Sequence, residues 1–378
     1  MTTQEQSGIS ALQRALLSRR TVLRGALGIS ATALLAACGG DDEELEPTTS
    51  AAQPTSLPAT ATSAPTTTAE PTTRTFLDVY GQPIQVPDNP QRIVAIHDNN
   101  GGAQLLSLGA PVVGLPVRGG TFTSEISDVF DVEGIGGVGE VYEPDIEAII
   151  ALKPDLIVGE GYAGQGMDQF MGDGAHDLLA EIAPVVYIDT FRSVEEVMTD
   201  FAYLLGGEYF DVAAQQKAEL DTLIADLTTV IGEEWATVTA SYVARHDTAG
   251  TLQTSGPTGT AFTDVLTRVG VAWVPLVLEA GWPQNGGYLG DISNERINEF
   301  DADLLVVDAF WEQTLLDDPL FESLEVVQEE QIIVAGPDDG SFWGAHYPNY
   351  LRTTQFLLDE VTALQPLNTD IINEGAAP

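Results

Sequence analysis

Cysteine is nearly absent from this sequence, since Cys38 is the only one among 378 residues. A single cysteine cannot close a disulfide within the chain, so the fold must depend on its hydrophobic core. Forty-four per cent of the residues are hydrophobic, which is enough for two domains of ordinary size. The lone cysteine therefore calls for a role other than a structural crosslink.

Basic residues are scarce as well, with 14 lysines and arginines against 57 aspartates and glutamates. Lysine occurs only at Lys153 and Lys217. Because nucleic acids are bound through clustered basic side chains, this composition argues against a nucleic-acid partner. The negative charge favours solubility and says little about the fold.

A long membrane-spanning run is missing, but the N-terminus carries a shorter apolar one at residues 25–35. It follows a twin-arginine export motif at residues 18–24, SRRTVLR. It ends in LAACG at residues 35–39, which resembles a bacterial lipoprotein cleavage box around Cys38. We therefore expect residues 1–37 to be a signal peptide. The mature protein would be extracytoplasmic and anchored to the cell membrane by lipid on Cys38.

Large apolar residues are almost absent from residues 39–73, which consist mainly of Asp, Glu, Pro, Thr, Ser and Ala. Such a composition cannot bury enough surface to fold, so residues 38–74 are predicted to be a disordered, lipidated tether. A flexible coil of this length reaches roughly 30–36 Å on average. The mature chain would carry ten basic and 56 acidic residues, because residues 1–37 contain four arginines and one glutamate.

An uninterrupted helical pattern covers residues 211–231, and no Gly or Pro breaks it. Asp211 is its predicted N-cap, and Gly232 fits just past its end. A helix of this length spans about 30 Å. Its apolar stripe recurs at helical spacing and consists of Ala213, Gln216, Leu220, Leu223, Ile224, Leu227 and Ile231.

Two similar segments flank this helix, residues 147–158 (EAIIALKPDLIV) and residues 295–306 (ERINEFDADLLV). At identical spacing both contain Glu, Ile, a bulky apolar residue, then Asp-Leu and Val. In each segment we expect the Glu to open a short helix and Asp-Leu to open a buried strand. The pattern favours two lobes joined by one helix, and a coincidental match is the alternative.

Strand and helix patterns alternate on both sides of the long helix. This alternation predicts an α/β fold with two Rossmann-like lobes joined by a single long rigid helix. The predicted boundaries are residues 75–208 for the N-terminal lobe, 209–232 for the connecting helix and 233–378 for the C-terminal lobe. Residues 273–290 are rich in Gly and Pro and are expected to form a loop.

Ligands of such sheets gather beyond the carboxyl ends of the strands. His97, Arg118 and Tyr162 follow predicted strands of the first lobe. Arg245 and Asp308 hold the corresponding positions in the second lobe. Aromatic residues are concentrated in the same regions, namely Tyr162, Trp282, Tyr288, Phe310, Trp311, Phe342 and Trp343.

The anchor, the tether, the two lobes and the connecting helix resemble the substrate-binding lipoproteins of ABC importers. The iron-siderophore, haem and cobalamin binding family is the most similar group, over residues 76–364. The motifs that carry this resemblance are residues 89–95 (NPQRIVA), 106–109 (LSLG), 143–147 (EPDIE), 152–158 (LKPDLIV), 182–186 (IAPVV) and 293–297 (SNERI).

The resemblance implies a class III binding protein, a monomer that clamps its ligand between two lobes. One Glu on each lobe would dock into arginine pockets of a membrane permease, and by position these are Glu147 and Glu295. Each Glu could also simply complement a helix dipole in a first turn. The two interpretations are compatible.

The implied ligand is an Fe(III)-siderophore chelate, and no intrinsic cofactor is expected. The expected contacts are Tyr162, Trp343, Tyr288, Trp311, Arg118, Arg245 and His97. Hydroxamate binders of this family often carry an Arg just before Glu-Pro, where this chain has residues 139–142, GEVY. That difference leaves the chemical class of the chelate open.

Haem, cobalamin or a bare metal ion such as zinc are the alternative ligands. His97, His246 and Asp308 lie at strand ends, but no close pairing of histidines marks a metal site. An enzyme is not expected, because no nucleophile with a placed base is evident. The Gly-rich residues 134–139 and 255–259 also lack the context of a nucleotide-binding loop.

Overall fold

Two β-sheets organise the protein, and several of their parallel strands are buried along their whole length. A computed structural model describes residues 72–161, 171, 174–190, 192–231, 235, 237–245, 251–281, 287–308, 318–335, 344 and 346–361. Strands Ile93–Ala95, Leu156–Glu160, Val185–Ile188 and Leu304–Asp308 are buried throughout. Continuous burial is typical of parallel strands that are covered on both faces.

The N-terminal half, residues 72–205, holds one six-stranded sheet and a separate hairpin. The strands are β1 Thr73–Leu77, β2 Pro83–Pro87, β3 Ile93–Ala95, β4 Val112–Val117, β5 Gly136–Glu140, β6 Glu143–Pro144, β7 Leu156–Glu160 and β8 Val185–Ile188. The order in the sheet is β6-β5-β4-β3-β7-β8, and all neighbouring strands are parallel except β5 and β6. Strands β1 and β2 form the hairpin.

The C-terminal half, residues 237–361, holds the second six-stranded sheet. Its strands are β9 Thr239–Arg245, β10 Thr251–Ser255, β11 Ala272–Trp273, β12 Tyr288–Ser293, β13 Leu304–Asp308 and β14 Ile332–Ala335. Their order is β12-β10-β9-β13-β14, and β11 pairs in parallel with the first residues of β9. Strands β9, β13 and β14 are parallel, whereas β10 and β12 pair antiparallel.

Helices connect these strands. A π-helical turn at Asp98–Gly102 leads directly into the first α-helix. The α-helices are α1 Ala103–Ser107, α2 Ser124–Ser127, α3 Ile146–Leu152, α4 Ala175–Ala180, α5 Val194–Leu205, α6 Tyr209–Ile231, α7 Ala261–Arg268, α8 Pro275–Ala280, α9 Glu325–Gln328 and α10 Tyr347–Val361. Segments of 3-10 helix cover Asn294–Phe300 and Phe321–Ser323.

The long helix predicted over residues 211–231 is confirmed as α6, which begins two residues earlier at Tyr209. Asp211 therefore lies in the first turn, and its prediction as N-cap is wrong. The predicted stripe is buried at every position except Leu223, which is half-buried. Gly206 and Gly207 both adopt positive φ just before this helix, which ends α5 and allows α6 to start early.

The predicted internal repeat is confirmed in the local structure. Asp145 caps α3 by accepting from Ala148 N at 3.0 Å, and Ser293 caps the 3-10 helix by accepting from the backbone N–H of Glu295 at 3.3 Å. In each half the repeat then continues into a buried strand, β7 or β13.

The aspartate of each repeat also makes equivalent hydrogen bonds. Asp155 accepts from the backbone N–H groups of Gln91 and Arg92, at 2.7 and 2.9 Å, just before β3. Asp303 accepts from the N–H and the hydroxyl of Thr239, both at 2.8 Å, at the start of β9. Each carboxylate therefore joins its own strand to the first parallel strand of the same half.

The loop predicted over residues 273–290 is wrong in part. The structure places α8 at Pro275–Ala280 and begins β12 at Tyr288. Proline fits the first turn of a helix because that turn has no use for its missing N–H donor. Pro275 therefore begins helix α8, although proline was taken as a sign of a loop in the prediction.

Three sets of contacts join the two halves. Asp264 of α7 accepts from the backbone N–H of Val194, the first residue of α5, at 3.2 Å. Arg268 of α7 contacts Glu195 of α5 at 2.6 Å. These two contacts between α7 and α5 form the first set, and the packing of α6 against both α5 and α10 forms the second. The third set lies at the start of α10 and is described with the site below.

Candidate ligand-binding site

The first parallel strand of each half lies at a point where the sheet is extended to both sides. Strand β3 pairs with β4 on one side and with β7 on the other. Strand β9 pairs with β13 on one side and with β10 and β11 on the other. Binding crevices form beyond the carboxyl ends of strands at such switch points. The side chains that follow β3, β7, β9 and β13 are therefore the ones to inspect.

His97 and Glu160 meet at the switch point of the N-terminal half. His97 follows β3, and its Nε2 lies 3.0 Å from Oε2 of Glu160, the last residue of β7. Asn100 donates to the other carboxylate oxygen at 2.9 Å, and the Thr190 hydroxyl donates to that same oxygen. Burial disfavours the imidazolium form, but the negative charges of Glu160 and Asp98 outweigh it and raise the pKa of His97.

Arg118 stands beside this pair at the end of β4. Its Nε and Nη2 donate to the two carboxylate oxygens of Asp98 at 2.8 and 3.0 Å. The Asp98 side chain is only 2% exposed, whereas that of Arg118 is 46% exposed. A buried carboxylate therefore orients a cation that still faces solvent.

Tyr142 covers the same cluster, and its role was not predicted from the sequence. Its ring packs edge-on against His97 with centroids 5.7 Å apart, and its hydroxyl lies 3.5 Å from His97 Nε2. It sits between β5 and β6 with φ at 71°, a strained conformation for a non-glycine residue. Partial burial and the charge of Glu160 raise the pKa of Tyr142 to about 12, so the phenol keeps its proton.

A matching polar group lies in the C-terminal half. Asp308, the last residue of β13, accepts from the Tyr242 hydroxyl at 3.1 Å, and both side chains are buried. Tyr288 begins β12 and donates to Gln253 at 2.6 Å. The structure thus places the predicted contact Tyr288 on an antiparallel strand, held by a neighbouring strand, rather than on a loop.

The remaining predicted contacts are described less fully. Arg245 was expected to follow a strand, but it is the last residue of β9, and its side chain is outside the described part of the structure. The other residues named in the sequence analysis that lie outside the described residues are Tyr162, Trp282, Phe310, Trp311, Phe342, Trp343, His246 and Cys38.

The start of α10 contacts the N-terminal half through a buried polar seam. His346, which is fully buried, lies 3.0 Å from Glu125 of α2. The backbone N–H of Tyr347 donates to the buried Gln104 of α1 at 2.9 Å. The Tyr347 hydroxyl donates to Glu219 of α6 at 2.6 Å. Sequence reasoning missed this seam, because its partners lie more than 100 residues apart.

Glu147 and Glu295 occupy equivalent places in the two halves. Each lies in the first turn of a helical segment, and each is exposed. Among the residues that the structure describes, neither carboxylate forms an ion pair. Arg296, the cation next to Glu295, is instead paired with Glu299 and Glu279.

The part of the chain that the structure describes contains no group of three His, Cys, Asp or Glu side chains placed to hold a metal ion. None of the helices in this part has the length and apolar character needed to cross a membrane.

Comparison with known proteins gives one family match. A family model described as periplasmic binding protein matches residues 99–338. A curated relative, the probable siderophore-binding lipoprotein YfiY of Bacillus subtilis strain 168, is 30% identical over 165 residues. That match covers 43% of this chain and 47% of the relative, so the similarity spans about half of the relative's length.

Solved structures share the fold. The structure of holo-ViuP matches with a TM-score of 0.63 and 19% identity, covering 77% of this chain and 97% of that one. SirA of Staphylococcus aureus, complexed with staphyloferrin B, matches with a TM-score of 0.61 and 20% identity, covering 79% and 100%. At these identities the similarity concerns the fold.

Proposed function

Since this chain belongs to the periplasmic binding protein family, we propose that it captures a ferric siderophore between its two halves and delivers it to an ABC permease. The family consists of substrate-binding proteins rather than enzymes. The relative named as a siderophore-binding lipoprotein supports this choice of ligand.

The observation that carries the proposal is the polar cluster at the switch point of β3. His97, Arg118 and Tyr142 converge there, while the acids that hold them are buried beneath. Ferric chelates present oxygen atoms around a bulky, partly apolar body. Aromatic faces and positively charged donors suit such a ligand. The expected contacts Arg245, Tyr162, Trp311 and Trp343 would complete the cleft from the remaining strand ends.

Delivery would depend on Glu147 and Glu295. Docking onto a permease requires two exposed anions at a fixed separation, and both residues are exposed on equivalent first turns. Helix α6, 23 residues long, would act as the rigid spacer between the halves and restrict their closure to a small motion. The protein would work as a monomer, anchored by lipid on Cys38 after twin-arginine export.

Transport and binding assays together test this proposal. In cells that lack the native gene, the double variant Glu147→Ala, Glu295→Ala should bind a ferric siderophore normally but fail to support its uptake. The matched control is the double variant Glu322→Ala, Glu325→Ala. Both residues are exposed acids in the first turn of a helical segment, so this variant should preserve uptake. Uptake that survives the first double change would overturn the docking assignment.

A further inference from the structure

The first turn of α10 is attached to the opposite half of the protein. In the buried polar seam, His346 lies 3.0 Å from Glu125 of α2, and the two side chains are 0% and 4% exposed. One residue further, the backbone N–H of Tyr347 donates to the buried Gln104 of α1 at 2.9 Å. The body of α10 packs against α7 of the C-terminal half. Helix α10 therefore belongs to both halves at once.

Gly344 brings the seam into close contact with the end of β3. A methyl group at Gly344 would lie 2.8 Å from the backbone oxygen of Asn99 and 2.7 Å from Oε1 of Glu125. It would also lie 2.6 Å from Cδ2 of His346. Non-bonded heavy atoms pack at about 3.5–4.0 Å, so a residue with a side chain would force the seam and Asn99 apart. Asn99 is part of the π-helical turn that follows β3.

This π-helical turn, residues 98–102, arranges the polar cluster of the N-terminal half. Asp98 accepts from Arg118 at 2.8 and 3.0 Å, and Asn100 donates to Glu160 at 2.9 Å. π-helical turns are rare, and they occur frequently at functional sites. Because the seam packs directly on this turn, a displacement of the first turn of α10 would be passed on to the groups that hold the cluster.

The seam is polar and incompletely paired. Hydrogen bonds weaken steeply when distance and angle change, so a polar contact fits only one relative position of its two sides. Some buried polar atoms here have no hydrogen-bond partner among the residues that the structure describes, namely Asn99 Oδ1, Gln104 Nε2, His346 Nδ1 and Asn349 Oδ1. Such atoms are rare in native proteins, and stored strain is one explanation for them. The seam is therefore better suited to selecting an arrangement than to adding stability.

We propose that the seam clasps the two halves in the arrangement that binds ligand, and that His346 and Glu125 are positioning residues for ligand binding. Both side chains are buried, so they act through the π-helical turn and do not touch the ligand. Helix α6 would limit large motions, and the seam would select one arrangement among the small ones. The effect on binding rests on the proposed function, whereas the arrangement of the halves is measurable without a ligand.

Spin labels test the arrangement in the ligand-free protein. Cys38 is the only cysteine, so the mature protein with Cys38→Ser takes up label only at introduced cysteines. Ala151→Cys on α3 and Glu329→Cys just after α9 place one exposed label on each half. Double electron–electron resonance should give one narrow distance distribution. His346→Leu leaves a buried carboxylate without its partner and should add a second or broad component. His346→Gln keeps an N–H donor and should restore the single distribution.

Ligand binding should change in proportion to this distribution. The probes are ferrioxamine B, ferric enterobactin and ferric citrate, followed by tryptophan fluorescence. When the binding arrangement is only fractionally populated, the apparent affinity falls by that fraction. If His346→Leu leaves about one-tenth of the molecules in the wild-type distance peak, each chelate that binds wild type should therefore bind about tenfold more weakly. His346→Gln should recover most of this loss.

Ser241→Ala is the matched control for a purely structural effect. The buried Ser241 hydroxyl donates to the backbone oxygen of Phe300 at 2.6 Å, entirely within the C-terminal half. Its loss should lower Tm but should neither broaden the distance distribution nor weaken binding. Equal effects of Ser241→Ala and His346→Leu on the distribution would overturn the proposal.

Circular dichroism would confirm that each variant folds, and Gly344→Ala carries the test if His346→Leu does not fold. An unchanged narrow distribution in the folded variant would overturn the clasp. A broadened distribution with unchanged chelate affinity would overturn the positioning role of His346 and Glu125. If wild-type protein bound none of the three chelates, the proposed function would fail, while the distance distributions would still decide whether the seam clasps the two halves.

Discussion

Replacing Arg268 by glutamine should weaken the contact between the two halves of the protein. Arg268 ends α7 and lies 2.6 Å from Glu195 of α5 and 3.6 Å from Asp221 of α6. It also lies 4.0 Å from Asp264, which is 3% exposed and whose pKa is raised by burial. Lys217, one of only two lysines, contacts Glu195 and Asp221 as well.

The magnitude follows from the exposure of the partners. Glu195 and Asp221 are 40% and 48% exposed, so each contact contributes at most about 0.5–1 kcal/mol after screening by solvent. Loss of the cation beside the buried Asp264 adds roughly 1 kcal/mol. We therefore expect a loss of about 2 kcal/mol in the free energy of unfolding. For a folded body of roughly 300 residues this lowers Tm by about 3 °C.

Thermal and urea unfolding of the mature protein would measure this loss at low and high salt. Arg296→Gln is the matched control, because it changes the net charge equally but breaks only ion pairs with the exposed acids Glu279 and Glu299. It should cost less than about 0.5 kcal/mol. The difference between Arg268→Gln and wild type should shrink in 1 M NaCl. Equal losses for the two variants would refute the reasoning.

Two further predictions concern stability. Asp303→Ala should cost about 3 kcal/mol in urea unfolding, because it removes the acceptor for both the N–H and the hydroxyl of Thr239. The matched control is Asp128→Ala, because Asp128 is exposed, and an equal cost for the two changes would contradict this prediction. Since the pKa of His97 is raised in the folded state, its interaction with Glu160 stabilises the protein below about pH 6.5, and that stabilisation is lost as pH rises through the raised pKa. The stability difference between wild type and His97→Asn should therefore shrink toward alkaline pH, and a difference that grows would contradict it.

The sequence predicted those parts of the fold that repeat a local pattern. The stripe of α6 has a helical period, and the two Glu-to-Asp segments have the same spacing, so both could be read without tertiary information. The rule that ligands gather at strand ends placed His97, Arg118 and Asp308 correctly at the carboxyl edges. The degree of burial alone would not have identified these three residues as candidates for the site.

The features that were missed depend on contacts between distant residues or on backbone geometry. His346 meets Glu125 across 221 positions of the chain, and no local pattern indicates such a pair. Tyr142 reaches the cluster because its turn adopts positive φ, which the residue type itself disfavours. Tyr288 was expected on a loop because the surrounding Gly and Pro residues are typical of turns, yet it starts strand β12.

Titration of the mature protein with ferric siderophores tests the central claim most directly. Tryptophan fluorescence would be followed during addition of hydroxamate, catecholate and carboxylate ferric chelates, with the iron-free chelators, haemin, cobalamin and Zn²⁺ in parallel. Our account predicts saturable quenching by at least one ferric chelate, with much weaker binding of the iron-free form of that chelate. Saturable binding of Zn²⁺, haemin or cobalamin with no response to any ferric chelate would contradict it.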